Sequence, residues 1–112
     1  MRREVLPLLV LHFIAEQPSY GNQLMERIAK LTEGVLSVNP NTMYPLLRQL
    51  ESQGLIEGKW EHPVRRTRRY YSLTDAGRAE LERLRREVRP FLRAVRDSVE
   101  RICSELYAPP SR

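Results

Sequence analysis

Two groups of side chains in this 112-residue chain have the types and spacing to do chemistry. The first is basic: Lys59, Arg65, Arg66, Arg68 and Arg69 fall within eleven residues against one acid, Glu61, a net +4. Cationic groups at that density suit a row of phosphates, because each phosphate neutralised releases condensed counterions. The remainder is nearly balanced, at −1 over residues 1–58 and +1 over residues 70–111, so most of the overall +5 is local. A local excess points to a docking surface for a polyanion rather than to a generally basic protein. The second group is polar and neutral apart from one arginine. Asn41 and Arg48 carry the amide and guanidinium groups that pair with base edges, while Thr42 and Tyr44 carry hydroxyls suited to phosphates.

A search for catalytic or metal chemistry ends without a candidate. His12 and His62 stand fifty positions apart, Cys103 is the only cysteine, and no acidic pair lies in an apolar setting. One cysteine excludes an intramolecular disulfide, and its place in an apolar stripe reads as a buried small hydrophobe. His12 reads as a core histidine of a buried helix and His62 as a loop residue. The five glycines fall at element ends, with no glycine-rich phosphate loop among them. Trp60, Tyr70 and Tyr71 suit sheet packing better than a base-stacking platform. No enzyme, metal or cofactor is expected.

The elements that must position the polar groups can be read from periodicity and caps. Residues 5–15 are apolar nearly all round and predict a helix buried on most sides, stopped at Gln17-Pro18. That stretch is too short to span a bilayer and no cleavage site follows it, so a soluble, cytoplasmic protein is expected. Ser19 is the expected N-cap of a second helix over 20–31, with Leu24, Ile28 and Leu31 as its core stripe and Gly34 ending it. The third helix has the clearest start: Asn39 caps it, Pro40 suits its first position, and it runs to about Gln53 before Gly54. Met43, Leu46, Leu47 and Leu50 share one face, which leaves Asn41, Pro45, Arg48 and Ser52 opposite, flanked by Tyr44 and Gln49. Pro45 cannot donate to the Asn41 carbonyl, which is tolerable where that carbonyl faces water or a partner.

Residues 55–60 and 68–73 then read as two strands joined by a basic tip, and Thr74 caps a final helix over 75–106 with Asp75 in its first turn. Along that helix Leu81, Leu84, Val88, Leu92, Val95, Val99, Ile102 and Leu106 recur at spacings of 3, 4, 4, 3, 4, 3 and 4. This is nearly a coiled-coil seam, with a phase slip at Phe91 and Leu92 and Pro90 placed to kink the helix there. A helix of that length exceeds what a small domain can cover, so a second copy of the chain is the expected partner, and Leu81, Leu84, Val88, Phe91, Leu92, Val95, Val99 and Ile102 are the candidate dimerisation residues. The fold class is mainly α with a small β-hairpin: a winged helix-turn-helix over residues 1–74, followed by a C-terminal dimerisation helix and tail over 75–112. Its third helix is suited to a major groove and its hairpin to the adjoining backbone.

Several runs resemble the PadR family of transcriptional regulators. Pro18-Ser19-Tyr20-Gly21-Asn22-Gln23-Leu24 is similar to the opening of that family's second helix. Asn39-Pro40-Asn41-Thr42-Met43-Tyr44-Pro45-Leu46-Leu47-Arg48-Gln49-Leu50-Glu51, continuing to Gly54-Leu55-Ile56, looks like its signature helix. Arg68-Arg69-Tyr70-Tyr71-Ser72-Leu73-Thr74-Asp75-Ala76-Gly77 resembles its second wing strand and helix entry. The resemblance implies a dimeric, usually repressing regulator that responds to a ligand or to stress, with DNA contacts from Tyr20, Thr42, Tyr44 and the wing arginines. It is similar to the short subfamily with a single final helix. Two departures stand out: Asn39 replaces a common serine, and the one tryptophan, Trp60, lies in the wing, whereas drug-binding members carry tryptophans on the last helix.

The candidate DNA contacts are therefore Tyr20, Asn39, Asn41, Thr42, Tyr44, Arg48, Arg65, Arg66 and Arg68. The expected function is sequence-specific binding of double-stranded DNA by a homodimer at a palindromic operator, with a small-molecule effector as a further candidate partner and no membrane partner. Two other classes stay open at this point, a winged-helix module that binds protein and a small-molecule carrier dimer.

Overall fold

The computed structural model describes residues 4–62, 64 and 68–109; Arg65 and Arg66, expected at the wing tip, lie outside the described residues. The order of elements is α1 (Val5–Glu16), β1 (Ser19–Tyr20), α2 (Gly21–Leu31), α3 (Pro40–Ser52), β2 (Ile56–Trp60), β3 (Arg69–Leu73) and α4 (Asp75–Tyr107). The strands form one antiparallel sheet in the order β1-β3-β2, with Ser19 opposite Tyr71 and Ile56 opposite Leu73. The architecture is the expected winged helix with a long final helix.

α1 is the centre of the domain. Val10, Leu11 and Ile14 are buried on its length, and it packs against α2, α4 and β3. Around it close Leu24 and Ile28 of α2, Met43, Leu47 and Leu50 of α3, Ile56 and Tyr71 of the sheet, and Leu81 and Leu84 of α4. The helix is not buried on every side, however. His12 is exposed and its Nε2 lies 3.8 Å from Glu16 Oε1, one turn on, so it is a surface residue and not a core histidine. Leu31 is likewise exposed at the end of α2.

Local sequence explains how the helices begin and end. Asn39 caps α3, its side-chain oxygen accepting the Thr42 N–H at 3.1 Å, and Pro40 occupies the first helical position. α3 closes with Gly54 at φ 75°. There the Gly54 N–H donates to Glu51 and the Leu55 N–H to Leu50, both at 3.0 Å, a pair of bonds that needs a left-handed residue between them. α2 ends by the same device, except that Glu33, not Gly34, takes the first left-handed position, at φ 51°. Its N–H donates to Lys30 and that of Gly34 to Ala29. Ser19 does not cap α2. It is drawn into the sheet as β1, and Tyr20 stands at the cap, its N–H donating to Gln23 Oε1 at 2.9 Å.

α4 has two halves. Gly77, Leu81, Leu84 and Val88 are buried in the chain's own domain, so Leu81, Leu84 and Val88 are not free for a partner as the regular seam implied. Phe91 is half-buried at the boundary. Beyond it the apolar stripe leaves the domain: Val88 is 0% exposed, whereas Val99 is 52%, Ile102 56% and Leu106 64% exposed. Cys103 shares this outer stretch and is exposed rather than buried. The helix runs through Pro90 without interruption.

Thr74 fixes where α4 starts. Its hydroxyl oxygen accepts the Gly77 N–H at 3.0 Å, while its own N–H donates to the Leu55 carbonyl at 3.1 Å. Gly77 lies so close that a Cβ there would overlap the Leu55 carbonyl oxygen. Replacing a helical glycine with alanine ordinarily stabilises by about 1 kcal/mol. Here Gly77→Ala is expected to destabilise by about 1–3 kcal/mol, since backbone must move; urea unfolding of the two proteins measures the sign.

Candidate nucleic-acid interface

The polar face of α3 is exposed along its length and borders two depressions. On the wing side Tyr44 and Arg48 line an open cleft of about 520 Å³, closed by Tyr20 and Gly21 at the start of α2 and by Trp60, Arg68 and Tyr71 of the hairpin. On the other side Asn41 and Thr42, with Pro45 and Gln49, face Leu6 and Pro7 of α1. The α3 residues singled out from sequence thus share an exposed surface but look to two flanks. Asn39 sits at its edge, its side-chain oxygen bonded in the cap and its amide nitrogen the donor it can offer another molecule.

The Tyr44 ring lies against Gly21. A Cβ on Gly21 would stand 2.7 Å from Tyr44 Cε1, so glycine at the α2 start is what lets the ring lie there. Tyr20, one residue earlier, is part of a different cluster. Its hydroxyl donates to Glu61 Oε1 at 2.9 Å, the Arg68 guanidinium carbon lies 3.6 Å from its ring centroid, and the Tyr70 ring packs beside it at 5.1 Å. The bond to a carboxylate holds the Tyr20 proton and is the main reason its pKa is raised above the ordinary tyrosine value; Arg68 pulls the other way.

The two described wing arginines have opposite fates. Side chains alternate along a strand, so Arg68 lies over Tyr20 on one side and Arg69 turns to α3. There Arg69 Nη2 donates to Glu51 Oε2 at 2.6 Å. The basic excess of the wing is therefore smaller than its composition, because α3 supplies the balancing acid from outside the run. The sequence places Arg69 in the basic run but does not pair it with Glu51, and it leaves Glu51 and Trp60 out of this surface. A signal was present in Gly58, which lies mid-strand in β2 and not at an element end as expected; a glycine there commonly marks close approach of another group. Among the described residues no group of His, Cys, Asp and Glu is placed to hold a metal ion, and no helix is long and apolar enough to cross a membrane.

Three helices around a central core, the third with an open polar face, and an antiparallel wing beside it define a winged-helix DNA-binding protein. The chain belongs to the PadR family: the family described as Transcriptional regulator PadR-like matches residues 10–83. It is 34% identical over 94 residues to Transcriptional regulator Rv3488 of Mycobacterium tuberculosis, covering 84% of this chain and 85% of that one. Among solved structures, smu.1704 from Streptococcus mutans UA159 is similar with a TM-score of 0.70 at 30% identity, over 87% of this chain and 88% of that one. The PadR-like regulator BC4206 from Bacillus cereus gives 0.68 at 27%, over 85% and 91%. Membership makes the chain a DNA-binding transcriptional regulator and not an enzyme.

The Tyr20–Glu61 bond has a measurable consequence. With Glu61→Gln the acceptor loses its charge, so the Tyr20 pKa is expected to fall toward the ordinary value. A pH titration of tyrosine Cζ shifts by NMR reads this directly; an unmoved Tyr20 titration contradicts the bond.

Proposed function

We propose that two copies of this chain pair through the outer half of α4 and place their α3 helices in major grooves of a roughly palindromic operator, repressing transcription nearby in the cytoplasm. Support for the DNA contact comes from one observation above the rest: Tyr44 and Arg48 stand exposed on α3 beside the wing cleft that also carries Tyr20 and Arg68. On this reading Arg48 and Asn41 read base edges, and Tyr20, Asn39, Thr42, Tyr44 and Arg68 contact the backbone, with Arg65 and Arg66 extending the wing contact. Support for pairing comes from Leu92, Val95, Val99, Ile102 and Leu106, a row of exposed apolar side chains on a helix that has left its own domain. The boundary between DNA-binding domain and dimerisation arm then falls near Pro90 rather than at residue 74. A small-molecule effector that releases DNA completes the reading, on the likeness to ligand-responsive members of the family.

Electrophoretic shift on the DNA upstream of the protein's own coding sequence tests it, and no salt-sensitive preference over random DNA would sink it. Arg48→Ala is expected to cost about 1–3 kcal/mol on the operator and to relax one base preference. Arg68→Ala should instead weaken binding to every sequence and lower the salt slope by about 1. For the dimer, sedimentation velocity should give twice the chain mass for the native protein and the single mass after Val99→Glu with Ile102→Glu. A monomeric native protein at micromolar concentration contradicts the pairing.

A further inference from the structure

We infer that Arg69 is a positioning residue: a strut that fixes the angle of the wing to α3 and thereby sets sequence discrimination, without contacting phosphate itself. The inference rests on α3 and the wing being the DNA-contacting surface. Arg69 and Glu51 border the same cleft as Tyr44 and Arg48, and the hydrogen bonds of Arg69 run to α3 and to the hairpin. Nη2 donates to Glu51 Oε2 of α3 at 2.6 Å and to the Gly58 carbonyl of β2 at 3.0 Å. The same Glu51 oxygen accepts the Gly58 N–H at 3.2 Å, so one carboxylate ties the α3 side chain to both the backbone of β2 and the side chain of β3. A Cβ on Gly58 would overlap the guanidinium, so glycine is what makes room for it. The Trp60 and Tyr71 ring centroids lie 5.2 and 5.9 Å from its central carbon, within cation–π range.

A charge that is already paired with a carboxylate, partly buried and packed among rings is a weaker partner for a phosphate than the exposed Arg68 beside it. Its use is geometric. Operator binding needs Arg48 and Tyr44 in the groove while the wing meets the backbone beside it, so both contacts depend on one angle. Random DNA is held by charge alone and tolerates a loose wing. Loosening the strut should therefore harm the specific complex more than the non-specific one.

The test is the salt dependence of binding to an operator selected from random sequence and to random DNA, for native protein, Arg69→Lys, Arg69→Gln and Glu51→Gln. Arg69→Lys keeps the charge but loses the planar fork. Arg69→Lys and Glu51→Gln are each expected to lower the operator-to-random ratio by about tenfold, with native salt slopes. Arg69→Gln should do the same. If Arg69→Gln instead lowers the slope by about 0.9 on both DNAs, as loss of a phosphate contact does, and leaves the ratio unchanged, the strut is overturned.

Trp60, the only tryptophan, gives a readout without DNA: its time-resolved anisotropy should show faster local motion in Glu51→Gln than in native protein. Equal anisotropy overturns the strut. Faster motion with a native protein that prefers no operator upholds the strut and condemns the DNA reading instead. Glu51→Gln carries both decisions even where an Arg69 variant does not fold.

Discussion

The Leu55 carbonyl is the point to which every working part of this chain is referred. It follows the glycine turn that ends α3, and Leu55 immediately precedes the first residue of β2. It accepts the N–H of Thr74, the residue between the end of β3 and the start of α4, while the Thr74 hydroxyl donates to the neighbouring Gly54 carbonyl at 2.6 Å. Gly77 lets the first turn of α4 close over it. Recognition helix, wing and final helix thus meet at one joint, held by backbone groups that must find partners when removed from water. The joint, made of backbone and two small residues, fixes where the three begin and leaves the angle of the wing to contacts farther out, Arg69 with Glu51 among them.

From that joint the sheet sorts charge by the geometry of a strand. Side chains alternate as the chain enters β3, so consecutive arginines meet different environments: Arg68 over the half-buried ring of Tyr20, Arg69 in the angle between hairpin and helix. The acid that balances Arg69 comes from α3, and the acid that holds the Tyr20 hydroxyl comes from the end of β2. Of the two described wing arginines, one is turned outward and the other builds the base of the wing.

The final helix divides for a different reason. Its first four turns have α1 to pack on, and they bury Leu81, Leu84 and Val88. The domain then runs out while the helix and its apolar stripe continue, in a chain 71 Å long and 26 Å wide. Each large aliphatic side chain left in water forgoes about 1.5–3 kcal/mol of burial, which is the drive for another surface to cover the row. The stripe is continuous in sequence, but only its first half is buried within the chain.

The sequence by itself determined the elements, because their signals are local. Apolar spacing, Asn39-Pro40 and Thr74 at helix starts, Gly54 after α3 and the change of period at the hairpin each act within a few residues of what they specify. The PadR resemblance and the exposed polar face of α3 were legible for the same reason. What only the tertiary structure decided involves partners far apart in the chain. Ser19 became a strand because β3 was there to pair with it, and Glu51 met Arg69 across 18 residues. His12 and Cys103 came to the surface because none of the described residues covers those sides of α1 and α4. Periodicity says which face of a helix is apolar, but not how far along the helix its own domain extends. The boundary near Phe91 was set by the size of the folded core, a property of the whole chain that no window of sequence contains.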